Sequence, residues 1–164
     1  MIMDSHWRMI QDIVRCAIKT SHHLSFATVS EGGIPHVTPI GSLILRDDCT
    51  GYYFEEFTTQ MPVNFESNRR ISILAVNSGG WYWLKSIYSG RFPTLPGIRL
   101  HGRVRDRRPA TQQEIETWRQ RVKRARKTKG YKLIWEKLSH VRDIEFDSFE
   151  AITTGIMTKH LLTS

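Results

Sequence analysis

Cysteine is scarce: Cys16 and Cys49 are the only two among 164 residues. Two are too few for a disulfide scaffold, and neither sits in a metal-ligand spacing. Both read as packing residues. No apolar run approaches the ~18 residues of a membrane span, so no membrane partner is expected. Residues 1–8 (MIMDSHWR) lack the basic end and long apolar core of a signal peptide, which points to a reduced, cytoplasmic protein. Internal repeats, linkers and low-complexity segments are missing too, so one domain spanning 1–164 is expected. The seven histidines are scattered without the helical spacing of a zinc motif. With no triad and no carboxylate pair either, the sequence assigns no catalytic residue and no metal ligand.

What is present is an uneven surplus of positive charge. Lys and Arg number 24 against 16 acids, a formal charge of +8. Residues 119–132 hold eight cations and no acid: Arg119, Arg121, Lys123, Arg124, Arg126, Lys127, Lys129 and Lys132. Without that segment the remaining cations and acids balance at 16 each. Three readings are open for it. It is a solubilising helix face whose cations complement the helix dipole, or a grip on nucleic acid phosphates with Tyr131 and Trp135 as stacking faces, or a lure for an acidic cofactor tail.

The hydrophobic pattern alternates between two periods. Trp7, Ile10, Val14 and Ala17 recur at helical spacing, predicting a helix over 5–19. Residues 23–30 alternate as a strand, and Glu31, Gly32 and Gly33 supply a hairpin turn. A second strand is predicted over 35–45, with Pro39 confining it to an edge or bulge because proline cannot donate to a ladder. A third follows over 52–57, then a loop and short helix over 58–68 and a fourth strand over 71–76. Residues 81–96, rich in aromatics, read as a long loop or lid. Over 98–107, Ile98, Leu100, Gly102 and Val104 face one way and Arg99, His101, Arg103 and Arg105 the other. Gly102 marks a plain bulge or a close approach by a cofactor or backbone. Thr111 and Glu114 form a capping box opening a helix whose apolar face holds Ile115, Trp118, Val122 and Ala125. A short helix over 131–138 and a last strand over 143–152 complete an α+β, mainly β chain.

Residues 26–40 (FATVSEGGIPHVTPI) resemble the opening hairpin of the pyridoxamine 5'-phosphate oxidase-like, FMN-binding split-barrel family. Residues 51–59 (GYYFEEFTT), 64–76 and 97–104 (GIRLHGRV) follow that family's order of elements, and the resemblance spans roughly 10–155. It implies an antiparallel split β-barrel with flanking helices, working as a homodimer with FMN in a cleft between subunits. It further implies an oxidoreductase with a small-molecule substrate or electron donor. The second strand would lie along the flavin ring, placing His36, Val37, Thr38 and Pro39 beside it. Thr58, Thr59 and Gln60, with Asn64 nearby, would hold the phosphate, in keeping with the anion-binding character of a helix N-terminus. Where the family often carries a lysine in that helix this chain has Met61 at or near the place, leaving Arg69 and Arg70 to reach back. Trp81, with Tyr82 and Trp83, would stack on a ring or anchor an interface. His101 would join the cationic stripe facing an anionic cofactor.

Some members of the family use a deazaflavin instead, and some bind haem through histidine, for which His36, His140 and His160 are the candidates. True pyridoxamine phosphate oxidases end in an Arg-containing substrate tail, and residues 153–164 contain no arginine. The alternatives to an enzyme are a flavin- or haem-binding regulatory protein and a nucleic-acid-associated module using residues 119–132.

Overall fold

A computed structural model describes residues 2–125, 127–135 and 137–162 of the chain. Arg126, one of the eight clustered cations, therefore lies outside the described residues. Helix α1 (Ile2–Ser21) turns Trp7, Ile10, Val14 and Ala17 inward, as the 3.6-residue period predicts. Strands β1 (Leu24–Val29) and β2 (Pro35–Ile40) form the expected antiparallel hairpin. β2 pairs with β1 alone, so Pro39 sits on a sheet edge, where its missing N–H is harmless.

The strand expected over 35–45 is in fact two. β2 ends at Ile40, and β3 (Ile44–Leu45) lies at the opposite edge of the same sheet. The crossing is made at Gly41, where a Cβ would stand 2.7 Å from the carbonyl oxygen of His22. Only glycine lets the chain pass that close to α1's end. Ser42 then fixes the turn, its hydroxyl accepting from the Phe54 N–H at 3.1 Å.

β4 (Thr50–Phe54), α2 (Gln60–Ser67), β5 (Arg70–Val76), β6 (Gly97–Pro109) and β7 (His140–Ala151) complete the sheet and its first connection. The strand order is β2-β1-β5-β6-β7-β4-β3, every pairing antiparallel, and the sheet does not close. It curls all the same. Phe26 on β1 and Tyr53 on β4, with three strands between them in the order, meet with ring centroids 5.3 Å apart. Their contact anchors the main core, which α1 caps. β4 is buried on both faces: Tyr53 points into that core, while Tyr52 and Phe54 join Trp118, Leu138 and Val141 in a second cluster. This explains the uninterrupted aromatic run at 52–54, since a strand covered on both sides has no polar face to alternate with.

The segment expected as a loop or lid over 81–96 begins as a helix, α3 (Gly80–Ser89). Ser86 is buried, Tyr82 one turn earlier packs on Phe92, and Gly90 closes the helix at φ 69°. Sequence inspection missed it because Gly79 precedes it in place of a polar cap. On β6 the alternation is as expected, with Ile98, Leu100, Gly102 and Val104 buried. At Gly102 a Cβ would stand 2.3 Å from Glu145 O, beside a register shift, so the close approach is that of β7's backbone. The capping box forms: Glu114 N–H donates to Thr111 Oγ1 and Thr111 N–H to Glu114 Oε2. Helix α4 (Gln112–Arg121) runs into a short 3₁₀ turn over Lys123–Ala125, and α5 (Lys129–Ile134) follows.

Candidate functional site

Where β2 leaves the sheet, the end of α1, the start of α2 and the α4–α5 region surround a cleft of about 990 Å³. That is the upper end of the size of small-molecule sites, roughly 300–1,000 Å³. Six of the sequence-predicted residues line it: His36, Thr38 and Pro39 from β2, and Thr58, Thr59 and Gln60 from the α2 start. The link that places them together is Asn64. Buried at 1% exposure, it accepts from Gln60 Nε2 at 2.9 Å and donates to Thr28 Oγ1 at 2.8 Å, tying α2 to the hairpin. Asn64 is thus a support behind the cleft wall.

The other predicted residues lie elsewhere. Val37, between lining residues on β2, is 60% exposed and does not line the cleft. Arg69 and Arg70, beyond the far end of α2, are held by Asp106 at 2.6 Å and Asp147 at 2.5 Å. Met61 is fully buried in the main core. Trp81 stands exposed on α3, whereas Tyr82 and Trp83 pack on Phe92. His101 lies 3.4 Å from Glu150, and the stripe on β6 is met by β7 acids, Arg99 by Glu150 and Arg105 by Glu145. Of the three histidines considered for haem, only His36 lines the cleft. His140 faces Ser139, and His160 Nε2 lies 3.0 Å from the Phe92 carbonyl oxygen.

Sequence reasoning missed the second wall. Trp118, assigned to the core, and Arg121 and Arg124, assigned to a separate basic segment, line the cleft with Trp135, Ile134 and Leu138. Among the described residues no carboxylate lines the cleft, while Arg15, Lys19, Arg121 and Arg124 do. Arg15 is neutralised by Asp12 at 2.7 Å; Lys19, Arg121 and Arg124 have no acidic partner among the described residues. The α2 end adds to this field, because its first turn carries no acid and no side chain caps it at Thr59. Five buried side-chain polar atoms among the described residues have no hydrogen-bond partner, and three belong to cleft residues: Thr38 Oγ1, Thr58 Oγ1 and Trp118 Nε1. Buried polar groups are ordinarily paired, so these three are open to a bound molecule or to water in the cleft.

A sequence profile described as pyridoxamine 5'-phosphate oxidase matches residues 10–151. The chain belongs to this family. No curated protein sequence matches it. Among solved structures it is similar to HupZ from Group A Streptococcus, at 20% identity and a TM-score of 0.58, covering 90% of this chain and 94% of that one. An FMN-binding protein from Syntrophomonas wolfei is 13% identical at a TM-score of 0.57, with 92% and 94% covered. An F420 reductase is 13% identical at a TM-score of 0.52, with 78% and 88% covered. At these identities the likeness concerns the fold, and this fold is the split barrel expected from the hairpin.

Proposed function

We propose that the cleft binds FMN where two copies of the chain meet, and that the protein is an FMN-dependent oxidoreductase. One observation carries this reading: a cleft with no carboxylate among its described lining residues brings the α2 N-terminus and two unpartnered threonine hydroxyls into one wall. Membership in the family supports it, as do structural relatives described as an FMN-binding protein and an F420 reductase. The residues fit the group. Thr58, Thr59 and the first N–H groups of α2 would hold the phosphate, hydroxyl and amide donors being suited to a dianion. His36, Thr38 and Pro39 on β2 would flank the ring. Bound FMN supplies hydride acceptance and donation at N5, and the chain supplies orientation and electrostatics. That transfer requires no acid or base of the protein.

Exposed apolar side chains on β2 and at the α2 start, Val37 and Phe57 among them, offer the surface a second copy would cover. The test is a visible spectrum of the purified protein followed by FMN titration and sizing. A yellow dimer taking one FMN per chain, with the flavin reduced by a nicotinamide donor, is expected. A colourless protein that takes up no FMN would overturn the reading, and saturable binding without reduction would leave a flavin-storing protein in its place.

A further inference from the structure

We propose that Glu56 is the positioning residue of the phosphate wall, its carboxylate setting where Thr58 and Thr59 stand in the cleft. The proposal rests on the FMN reading, in which those threonines and the α2 end hold the phosphate. Between β4 and α2 the residues 55–59 have no regular structure, yet they bring Thr58 and Thr59 to the cleft. Thr58 Oγ1 has no partner among the described residues, and Thr59 makes no side-chain capping bond to α2. Neither hydroxyl fixes its own place. The backbone that leads to them must do so.

Glu56 supplies the fixed point. Its Oε1 accepts from two successive backbone N–H groups, Ser139 and His140, at 2.8 Å each, and from Ser139 Oγ at 3.0 Å. Arg107 Nη2 donates to Oε2 at 3.5 Å, and Arg107 Nε to the Glu55 carbonyl oxygen at 3.3 Å. Burial raises the Glu56 carboxyl, but the Ser139 and His140 N–H groups outweigh it and hold it below its ordinary range. Glu56 itself does not line the cleft, so its charge is answered away from the anion site. Its partners directly follow Leu138, which lines the second wall beside Trp118 and Trp135. One carboxylate thus ties the threonine wall to the second wall and fixes the gap between them. Supporting bonds of this kind hold binding groups within about 0.5 Å of their productive places. The ring wall is independent of it, because His36, Thr38 and Pro39 are held by the pairing of β2 with β1.

The test compares FMN with riboflavin, which has the same ring and no phosphate. Each is titrated by flavin fluorescence into the protein freed of bound flavin, as wild type, Glu56→Ala, Glu56→Gln and Glu56→Asp. Glu56→Ala should weaken FMN about tenfold or more and leave riboflavin within about threefold. Glu56→Gln should recover most of the FMN affinity, because its amide oxygen still accepts from the Ser139 and His140 N–H groups. Glu56→Asp keeps the charge but is one methylene short, so FMN should stay several-fold weaker than in the wild type. It also serves if Glu56→Ala does not fold. A parallel loss of FMN and riboflavin would overturn the proposal, making Glu56 a support for the cleft as a whole. FMN affinity unchanged in Glu56→Ala and Glu56→Asp, or as poor in Glu56→Gln as in Glu56→Ala, would overturn it as well. Should the wild type take up no flavin, inorganic phosphate is titrated and followed through the Thr58 and Thr59 amide resonances. Shifts present in the wild type and lost in Glu56→Ala keep the role of Glu56 and remove the flavin. No shift in the wild type overturns both.

Discussion

Glu55 is 3% exposed and carries a charge the fold must satisfy from within. Arg142 meets it with two nitrogens, Nε to Oε1 at 2.9 Å and Nη2 to Oε2 at 2.7 Å, and Tyr53 donates its hydroxyl to Oε1 at 2.5 Å. Burial, reinforced by the Glu55 charge, pushes the Tyr53 hydroxyl far above its ordinary range, so it stays a donor. Arg142→Met leaves the buried carboxylate with Arg107 4.0 Å away as its one remaining cation among the described residues and should lower unfolding free energy by about 3 kcal/mol. Urea denaturation checks this, and adding Glu55→Gln should recover a good part of the loss, because the amide needs no counter-charge and still accepts from Tyr53. A pair separated by 87 positions carries no mark in the sequence; each member reads alone as an ordinary strand-end charge.

At the scale of elements, α4 is fastened to the sheet by Arg46, Arg108, Glu114 and Asp143. Arg108 reaches Glu114 at 2.8 Å and Asp143 at 2.6 Å, and Arg46 reaches them at 2.9 and 2.8 Å. Burial pulls the Glu114 carboxyl upward, but Arg108, the Thr111 N–H and Arg46 outweigh it and hold it at about 2 against an ordinary 4.5. A folded value below the unfolded one gives stability that is present above about pH 4.5 and lost as pH falls towards 2. The loss should be on the order of 2–3 kcal/mol. Glu114→Gln should flatten that part of the urea-stability profile and lower stability at neutral pH, since its amide cannot answer two guanidinium groups. The local half of this arrangement, the capping box, was legible as Thr111 and Glu114 three residues apart. Its second use, placing Trp118 and Arg121 on the cleft, depends on partners from β6 and β7 and was not.

Across the whole molecule, the charge of +8 is divided by the fold. Arg121 and Arg124 line the cleft, while Lys123, Lys127, Lys129 and Lys132 face solvent from a 3₁₀ turn, a connection and α5. Cations split between a cleft and a changing chain direction do not present one stripe to a phosphate backbone. Duplex DNA in about 150 mM salt should therefore bind no tighter than the ~10⁻⁴–10⁻⁶ M of non-specific association. Fluorescence anisotropy across a salt series measures it, and submicromolar binding with a steep salt slope would restore the nucleic-acid reading.

The sequence by itself determined the periodic elements, the restriction of Pro39 to an edge or bulge, the hairpin and the family, because these are written in local spacings and short motifs. It also brought out the β2 and α2 residues of the cleft, through the resemblance. Tertiary structure alone decided that residues 40–44 cross from one sheet edge to the other, that α3 is a helix, and that the basic segment forms a cleft wall. Those outcomes depend on contacts between residues far apart in the chain, such as Gly41 against His22 or Arg121 against Leu43, and a one-dimensional pattern records no such distances.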